Sequence, residues 1–231
     1  MSSSQNPMQH IAEMLETKSC IKQQTYRNLT DVFRSLMGES EKIIEEVKKV
    51  VDQKDKDIIL QVTSVSDHEF HVKIAGDLLI FFMHSNIVMM DNEHPFNKSK
   101  YVIDNPMGKY LGQINVYNFM ADSFRYNRIS DPGYLIGRLF INYENKFLIE
   151  GDETVSHGHS IISSEPISTT DLSIFVQLAI SEAIDTDLVT TPFKNIRKIT
   201  VQQKEEKSQM LGAGHKIGFQ MTYQQGIDNV S

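Results

Sequence analysis

Residues 58–83 read IILQVTSVSDHEFHVKIAGDLLIFFM, and this stretch decides the fold. It contains three short runs rich in β-branched and aromatic residues, at 58–63, 69–74 and 78–83, separated by polar turns. Runs of this length and composition are typical of β-strands. The connections between them are too short to hold a crossover helix, so neighbouring strands must run antiparallel. The stretch therefore predicts the first strands of an antiparallel meander.

The same pattern continues further along the chain. Additional strand-like runs lie at 87–90, 111–119, 123–126, 134–143 and 146–150. Between the last two of these runs, Glu144-Asn145 has the residue types that favour a tight hairpin turn. We therefore expect a mainly antiparallel sheet of about six to eight strands.

The chain upstream of the sheet is predicted to be helical. Asn6 is a good N-cap, and Pro7 suits the first position of a helix. Apolar residues then recur at steps of three and four, a spacing that indicates an amphipathic helix. Because Gly38 interrupts the run, we expect one helix near 7–36 and another near 40–53, either separate or fused.

The chain downstream of the sheet is predicted to return to helix. Residues 169–171 offer helix caps, and the apolar residues that follow, from Leu172 to Ala183, form one helical face. A second helix is expected to start at Thr191-Pro192, and the tail from Gly212 onward is expected to be loosely ordered.

This order of elements, with helices before and after an antiparallel sheet, predicts an α+β protein. It divides the chain into an N-terminal helical region at 1–56, a sheet region at 57–166, and C-terminal helices with a flexible tail at 167–231. The chain has 231 residues, of which 40% are hydrophobic, so it can bury a core without metals or disulfides. We expect the three regions to form one compact domain.

Charge and cysteine content limit the classes of partner and compartment. The net charge is -7, and the acidic excess lies in the sheet region, so we expect no nucleic-acid binding. A single cysteine, Cys20, allows no intrachain disulfide and favours the cytoplasm. The N-terminus lacks a secretory signal pattern, and the longest apolar run, 78–83, falls short of the roughly 20 residues of a membrane span. We therefore predict a cytoplasmic protein that binds neither nucleic acid nor membrane.

One candidate metal site lies between the sheet and the C-terminal helices. His157 and His159 are two residues apart, which on a strand would place both side chains on one face, and Glu165 follows. Histidine and carboxylate ligands together suit zinc, manganese or iron. The alternative is an ordinary polar loop that joins the sheet to a helix.

The segment 151–165, with Gly151, the two histidines and Glu165, resembles the first metal motif of the cupin family. That resemblance implies a β-barrel that holds a divalent metal with two histidines, a glutamate and a later histidine. The gap before Glu165 is longer than in the cupin motif, the later glycine of the motif is absent, and no second motif follows.

A second candidate site lies in the arginine- and tyrosine-rich stretch 117–143, whose side chains combine large contact area with hydrogen-bonding tips. The candidate ligand-binding residues are Arg125, Tyr126, Arg128 and Arg138. Two of the arginines could hold a carboxylate or phosphate, which would make the protein a small-anion sensor with a sheet pocket. The alternatives are ion pairs with the nearby Asp122 and Asp131, or an aromatic sheet core with neutralised edge charges.

We expect a non-enzymatic interaction or regulatory module that self-associates, as a homo-oligomer or with a protein partner. The sequence shows no catalytic signature, its N-terminal region is long and amphipathic, and its sheet is rich in aromatic residues. The apolar stripe at 29–51 is the predicted dimer surface. The alternatives are a metal-binding protein or metal-dependent enzyme that uses His157, His159 and Glu165, and the anion sensor.

Overall fold

Six antiparallel strands form one sheet in the computed structural model of the chain, which describes residues 6–159, 161–186 and 200–202. The strands are β1 (Leu60–Ser66), β2 (Glu69–Ile74), β3 (Asp77–Met83), β4 (Gly112–Met120), β5 (Tyr134–Ile141) and β6 (Phe147–Gly151). Each strand pairs with the next one along the chain, so the order across the sheet is β1-β2-β3-β4-β5-β6. The predicted meander and α+β class are confirmed, and the strand number lies within the predicted range.

The six strands form an open sheet, with β1 and β6 at its two edges, and not the closed architecture that the cupin resemblance implies. The tight turn predicted between β5 and β6 is present. Asn145 adopts a positive φ of 59°, as a tight turn requires. The Asn142 side chain stabilises the turn, because its Oδ1 accepts hydrogen bonds from the amides of Glu144 and Lys146, both at 2.9 Å.

The N-terminal segment forms one long helix in three parts. α1 (Pro7–Met14) continues through a five-residue π-helical turn (Leu15–Ser19) into α2 (Cys20–Val51). The side chain of Asn6 accepts a hydrogen bond from the Met8 amide at 3.1 Å, so the predicted N-cap is confirmed.

The helix does not break at Gly38, and the two predicted helices are fused. Ser40 lies inside α2, where its hydroxyl donates to the Leu36 carbonyl at 2.8 Å. A single glycine destabilises a helix by only about 1 kcal/mol. Burial of Leu36 and Ile44 in the core offsets this cost, since each large apolar side chain contributes about 1.5–3 kcal/mol.

One face of the sheet packs against α2 and against α6 (Thr169–Asp185). The strands contribute alternate residues to this core, and the helices contribute apolar stripes. At its centre the rings of Phe70 and Phe81 stack at 4.5 Å between centroids. The buried helix residues are Leu29, Val32, Phe33, Leu36 and Ile44 of α2, and Leu172, Phe175, Val176, Ala179 and Ala183 of α6.

The apolar stripe at 29–51 is therefore not the open dimer surface that the sequence predicts. Most of its large side chains lie against the sheet of the same chain. An amphipathic helix has the same spacing whether it faces its own sheet or another chain, so the pattern could not distinguish the two. Val47 and Val50, in the last turns of α2, are the large apolar residues of the stripe that stay exposed.

α6 begins with a capping box. Ser168 accepts from the Asp171 amide, and Asp171 accepts from the Ser168 amide at 2.8 Å. The cap residue thus lies one position before the predicted caps at 169–171. The helix predicted from Thr191-Pro192 and the tail from Gly212 lie outside the described residues. No helix within the described ranges is both long and apolar enough to cross a bilayer.

The other face of the sheet is partly covered by two connections. The β3–β4 connection contains a 3-10 turn (Pro95–Lys98), α3 (Lys100–Asp104) and another 3-10 turn (Pro106–Lys109). The side chains that form the small core beneath it are Phe96, Val102, Leu111, Phe140 and Leu148. The β4–β5 connection begins with α4 (Ala121–Arg125).

Two of the predicted strands are wrong. The run at 87–90 makes one isolated bridge, between Val88 and Leu111, and the run at 123–126 lies mostly in α4. In α4, the ring of Phe124 packs edge-on against Phe119, 5.3 Å between centroids. This contact with the sheet favours the helical turn, and a short run of sequence cannot reveal it.

Candidate interaction surfaces

The two predicted metal-binding histidines do not lie on a strand. His157 follows the single turn of α5 (Glu153–Ser156) with a left-handed backbone at φ 44°, and Gly158 follows at φ 79°. The expectation that both side chains share one strand face is therefore wrong. The ring of His159 packs on Phe147 instead, 4.8 Å between centroids.

His159 and Glu165 nevertheless line the same surface pocket, of about 280 Å³. Its other lining residues are Phe147, Gly158, Ile161, Ile162, Ser163, Ser164, Pro166 and Asp171. Two of its polar groups serve the fold, because Ser163 Oγ donates to the Glu165 carbonyl at 2.6 Å and Asp171 caps α6. In the described ranges, no group of three or more His, Cys, Asp or Glu side chains is placed to hold a metal. Metal binding by His157, His159 and Glu165 stays an untested prediction.

Two of the three arginines of the predicted anion site already form ion pairs within the chain. Arg128 pairs with Asp131, 3.2 Å between Nε and Oδ2, which confirms the ion-pair alternative for this residue. Arg138 on β5 forms an ion pair with Glu150 on β6. A guanidinium that holds an internal carboxylate must give up that partner before it can hold an external anion in the same way.

The two other residues of the predicted anion site lie near the end of α4. Arg125 is exposed, and its guanidinium lies over the ring of the neighbouring Tyr126, 5.2 Å from the centroid. This cation–π contact leaves the charge in water. Binding of a small anion by Arg125, Tyr126, Arg128 and Arg138 therefore stays a prediction.

Sequence reasoning missed a polar network that ties the β3–β4 connection to the β5–β6 turn. The hydroxyl of Tyr101 donates to Glu144 and accepts from Asn142 Nδ2 at 2.6 Å. Burial, reinforced by the Glu144 carboxylate, raises the pKa of Tyr101 and keeps its hydroxyl a donor. Asn28 of α2 extends the network by donating to the Tyr143 carbonyl at 2.8 Å. These residues are far apart in sequence, so no local pattern links them.

The N-terminal end of the long helix stands away from the core. Every residue from 6 to 20 is exposed. Apolar side chains are concentrated on this segment all the same, with Met8 71%, Ile11 51% and Leu15 57% exposed. Steps of three and four residues place these three side chains on one side of the helix. The part of the chain that the structure describes leaves this apolar helix face uncovered.

The two edges of the sheet differ in how their backbone groups are satisfied. At β6, the Ile149 amide donates to the His159 carbonyl and the Ser163 amide donates to the Phe147 carbonyl, both at 2.8 Å. The Phe147 amide in turn donates to Ser163 Oγ at 3.0 Å. The outer edge of β1 makes no such bonds to any described residue, and residues 63–66 are exposed.

No protein-family model, curated protein or solved structure matches the chain. A function must therefore be inferred from the chain's own surfaces. Three of them stand out: the apolar helix face at 6–20, the open edge of β1, and the pocket beside β6.

Proposed function

We propose that the protein is a non-enzymatic interaction or regulatory module that self-associates through the helix at 6–20. The supporting observation is the apolar helix face formed by Met8, Ile11 and Leu15, which no described residue covers. A helical segment of this length is only marginally stable in water, and most helical stability comes from packing of an apolar face. A partner that covers this face would stabilise the helix and remove apolar surface from water.

A second copy of the same helix suits this face. Met8, Ile11 and Leu15 have the spacing of a and d positions in a heptad, which form the narrow seam between paired helices. Charges of both signs, such as Glu16 and Lys18, occur within the segment, so two copies can meet without an excess of one charge. An interface of a surface with itself closes around a twofold axis.

We also propose that the protein is cytoplasmic. Cys20, the single cysteine, is exposed at the start of α2. A reducing compartment keeps such a thiol free and does not require disulfides for stability. In that compartment the exposed Cys20 thiol would stay reduced, and self-association through the nearby helix would not involve a disulfide.

The test replaces Met8, Ile11 and Leu15 together with glutamine, which keeps a good helix former at each position and removes the apolar face. We expect light scattering to show the full chain as an oligomer and the triple variant with a smaller mass. No residue in this segment is buried, so the denaturation midpoint of the monomer should not change.

The matched control changes Gln9, Glu16 and Gln23 to alanine, three exposed positions of the same helix that lie off the apolar face. Its mass should equal that of the unchanged chain. A full chain that is monomeric at every concentration contradicts the proposal, and so does a glutamine variant whose mass equals that of the unchanged chain.

A further inference from the structure

The open edge of β1 lacks most of the features that protect an edge strand. Its sequence, LQVTSVS over residues 60–66, contains no charged residue and no proline. Proteins usually guard exposed edges with charge, proline, bulges or a covering segment. The one irregularity of β1 lies between Ser64 and Ser66, so the strand is regular from 60 to 64. A regular, uncharged edge is a template for the addition of another strand.

The hydrogen-bond pattern identifies which backbone groups of β1 point outward. The Ala75 amide donates to the Ile59 carbonyl at 2.9 Å, so these two residues form a hydrogen-bonded pair. Such pairs alternate along an antiparallel ladder, so the amides and carbonyls of Leu60, Val62 and Ser64 point away from β2. Nothing in the described ranges 6–159, 161–186 and 200–202 bonds to them.

We propose that β1 pairs with β1 of a second copy, antiparallel about a twofold axis at Val62, so that two sheets join into one. In this register Leu60 lies opposite the partner's Ser64, and Val62 lies opposite the partner's Val62. The outward groups between 60 and 64 then all meet outward groups of the other copy. A pairing of one strand with itself closes after two copies.

The side chains of β1 suit this partner. On the face away from α2, Gln61 lies opposite the partner's Thr63, an uncharged pair that can form hydrogen bonds. On the face that packs against α2, Leu60 lies opposite the partner's Ser64 and Val62 lies opposite the partner's Val62. The facing positions from 60 to 64 thus carry no charge on either face, so the paired segment itself brings no like charges together.

This junction is independent of the helix at 6–20 and goes beyond the function proposed above. A chain with two surfaces that each bind a second copy assembles beyond a dimer. Removing either surface should leave a dimer held by the other, and removing both should leave a monomer. The two proposals can therefore fail separately.

The test places like charges on both copies at the positions that face each other. One variant combines Q61K with T63K, and the other combines Q61E with T63E. Gln61 and Thr63 are both exposed, so the core is unchanged. Both variants are made in the full chain that already carries glutamine at Met8, Ile11 and Leu15, so that the helix cannot contribute.

Light scattering should show the helix variant alone as a dimer and each charged variant as a monomer, with dimer affinity lowered by more than about tenfold. An equimolar mixture of the two charged variants should restore the dimer, because opposite charges then face each other. Lys73 and His71 of β2 lie beside the changed positions within each chain. Their effect is the same in the mixture, so recovery on mixing reports the junction and not a folding defect.

A helix variant that is monomeric at every concentration overturns the β1 junction. Charged variants that stay dimeric, or a mixture that stays monomeric, overturn it as well. Failure of the helix proposal gives a different result. In that case the helix variant has the mass of the unchanged chain, and the charges on β1 alone convert it to a monomer.

Discussion

At the β6 edge of the sheet, Phe147 and Ile149 bond through their backbones to Ser163 and His159, whereas at the β1 edge the outward groups of Leu60, Val62 and Ser64 find no partner among the described residues. Both edges belong to the same small sheet, so an open edge is not a general consequence of this topology. Described residues of the chain cover the β6 edge, and none of them bonds to the outer edge of β1.

The residue types explain why β6 needs a permanent cover and β1 does not. Phe147, Leu148 and Ile149 are all buried, so an uncovered β6 would present an apolar strand to other chains. β1 alternates apolar residues with Gln61 and Thr63, and much of it tolerates water in the free chain. β6 thus suits a fixed intrachain contact, and β1 suits reversible pairing.

The largest difference between the two sides should appear where α2 is anchored. On the β6 side, Asn28 is buried, and its Nδ2 donates to the carbonyls of Asn142 and Tyr143 at 3.2 and 2.8 Å. On the β1 side, Tyr26 shares one hydrogen bond with His68, 3.0 Å from hydroxyl to Nε2. N28A should cost about 2 kcal/mol, because it removes both of these bonds and leaves the half-buried Tyr143 carbonyl without its donor, while the Asn142 carbonyl keeps the bond from the Asn145 amide at 3.1 Å. Y26F should cost less than about 1 kcal/mol.

Urea denaturation followed by circular dichroism measures both free energies of unfolding. Each substitution changes one polar anchor of the same helix, so each serves as the control for the other. A Y26F variant that loses as much stability as N28A would mean that α2 is held as firmly on the β1 side as on the β6 side, which would contradict the proposed difference between the two sides.

A smaller effect is expected from the cover of β6 itself. S163A removes the oxygen that accepts from the Phe147 amide, and Phe147 is 2% exposed. A buried amide without an acceptor destabilises the fold by about 1–2 kcal/mol. The neighbouring S164A is the control, because Ser164 is exposed and its substitution should change stability by less than about 0.5 kcal/mol. Equal losses for the two variants would show that the hydroxyl of Ser163 does not serve the edge.

Much of the fold follows from local periodicity. β2 spans the predicted 69–74, because alternation of apolar and polar residues is complete in that run. The N-terminal helix continues across Gly38 because its apolar stripe continues on the far side. The strand predicted at 123–126 is wrong. The conformation of these residues depends on the packing of Phe124 against Phe119, a contact that exists only in the folded chain.

The candidate surfaces were harder to predict, because they depend on how elements pack. His157 and His159 share one face only if the backbone between them is extended. The backbone at His157 is left-handed, so it is not extended there. The apolar spacing at 29–51 suits packing against the chain's own sheet and packing against a second chain equally well. The uncharged sequence of β1 is visible in the chain, but its position at an edge is a property of the strand order.

The smallest change in the free energy of unfolding is expected from a substitution in the interior strand β3, which provides a reference for both edge strands. Asp77 begins β3, and one carboxylate oxygen accepts from Asn118 Nδ2 at 3.0 Å. Burial raises the pKa of Asp77, against the opposing effect of the Asn118 bond, so the folded state disfavours the charged form. The contribution of this carboxyl group to stability is therefore complete below its usual pKa and is lost as the pH rises through the raised pKa.

D77N should accordingly be more stable than the unchanged chain at neutral pH, and equally stable near about pH 3, where both side chains are uncharged. The gain should stay below about 1 kcal/mol, because the carboxyl group is partly solvated. D67N, in the exposed β1–β2 turn, is the control for a lost surface charge. Urea denaturation at the two pH values measures both variants. A loss of stability for D77N at neutral pH would mean that Asn118 requires the carboxylate, and that polar bonds constrain the sheet interior as tightly as they constrain the edge at β6.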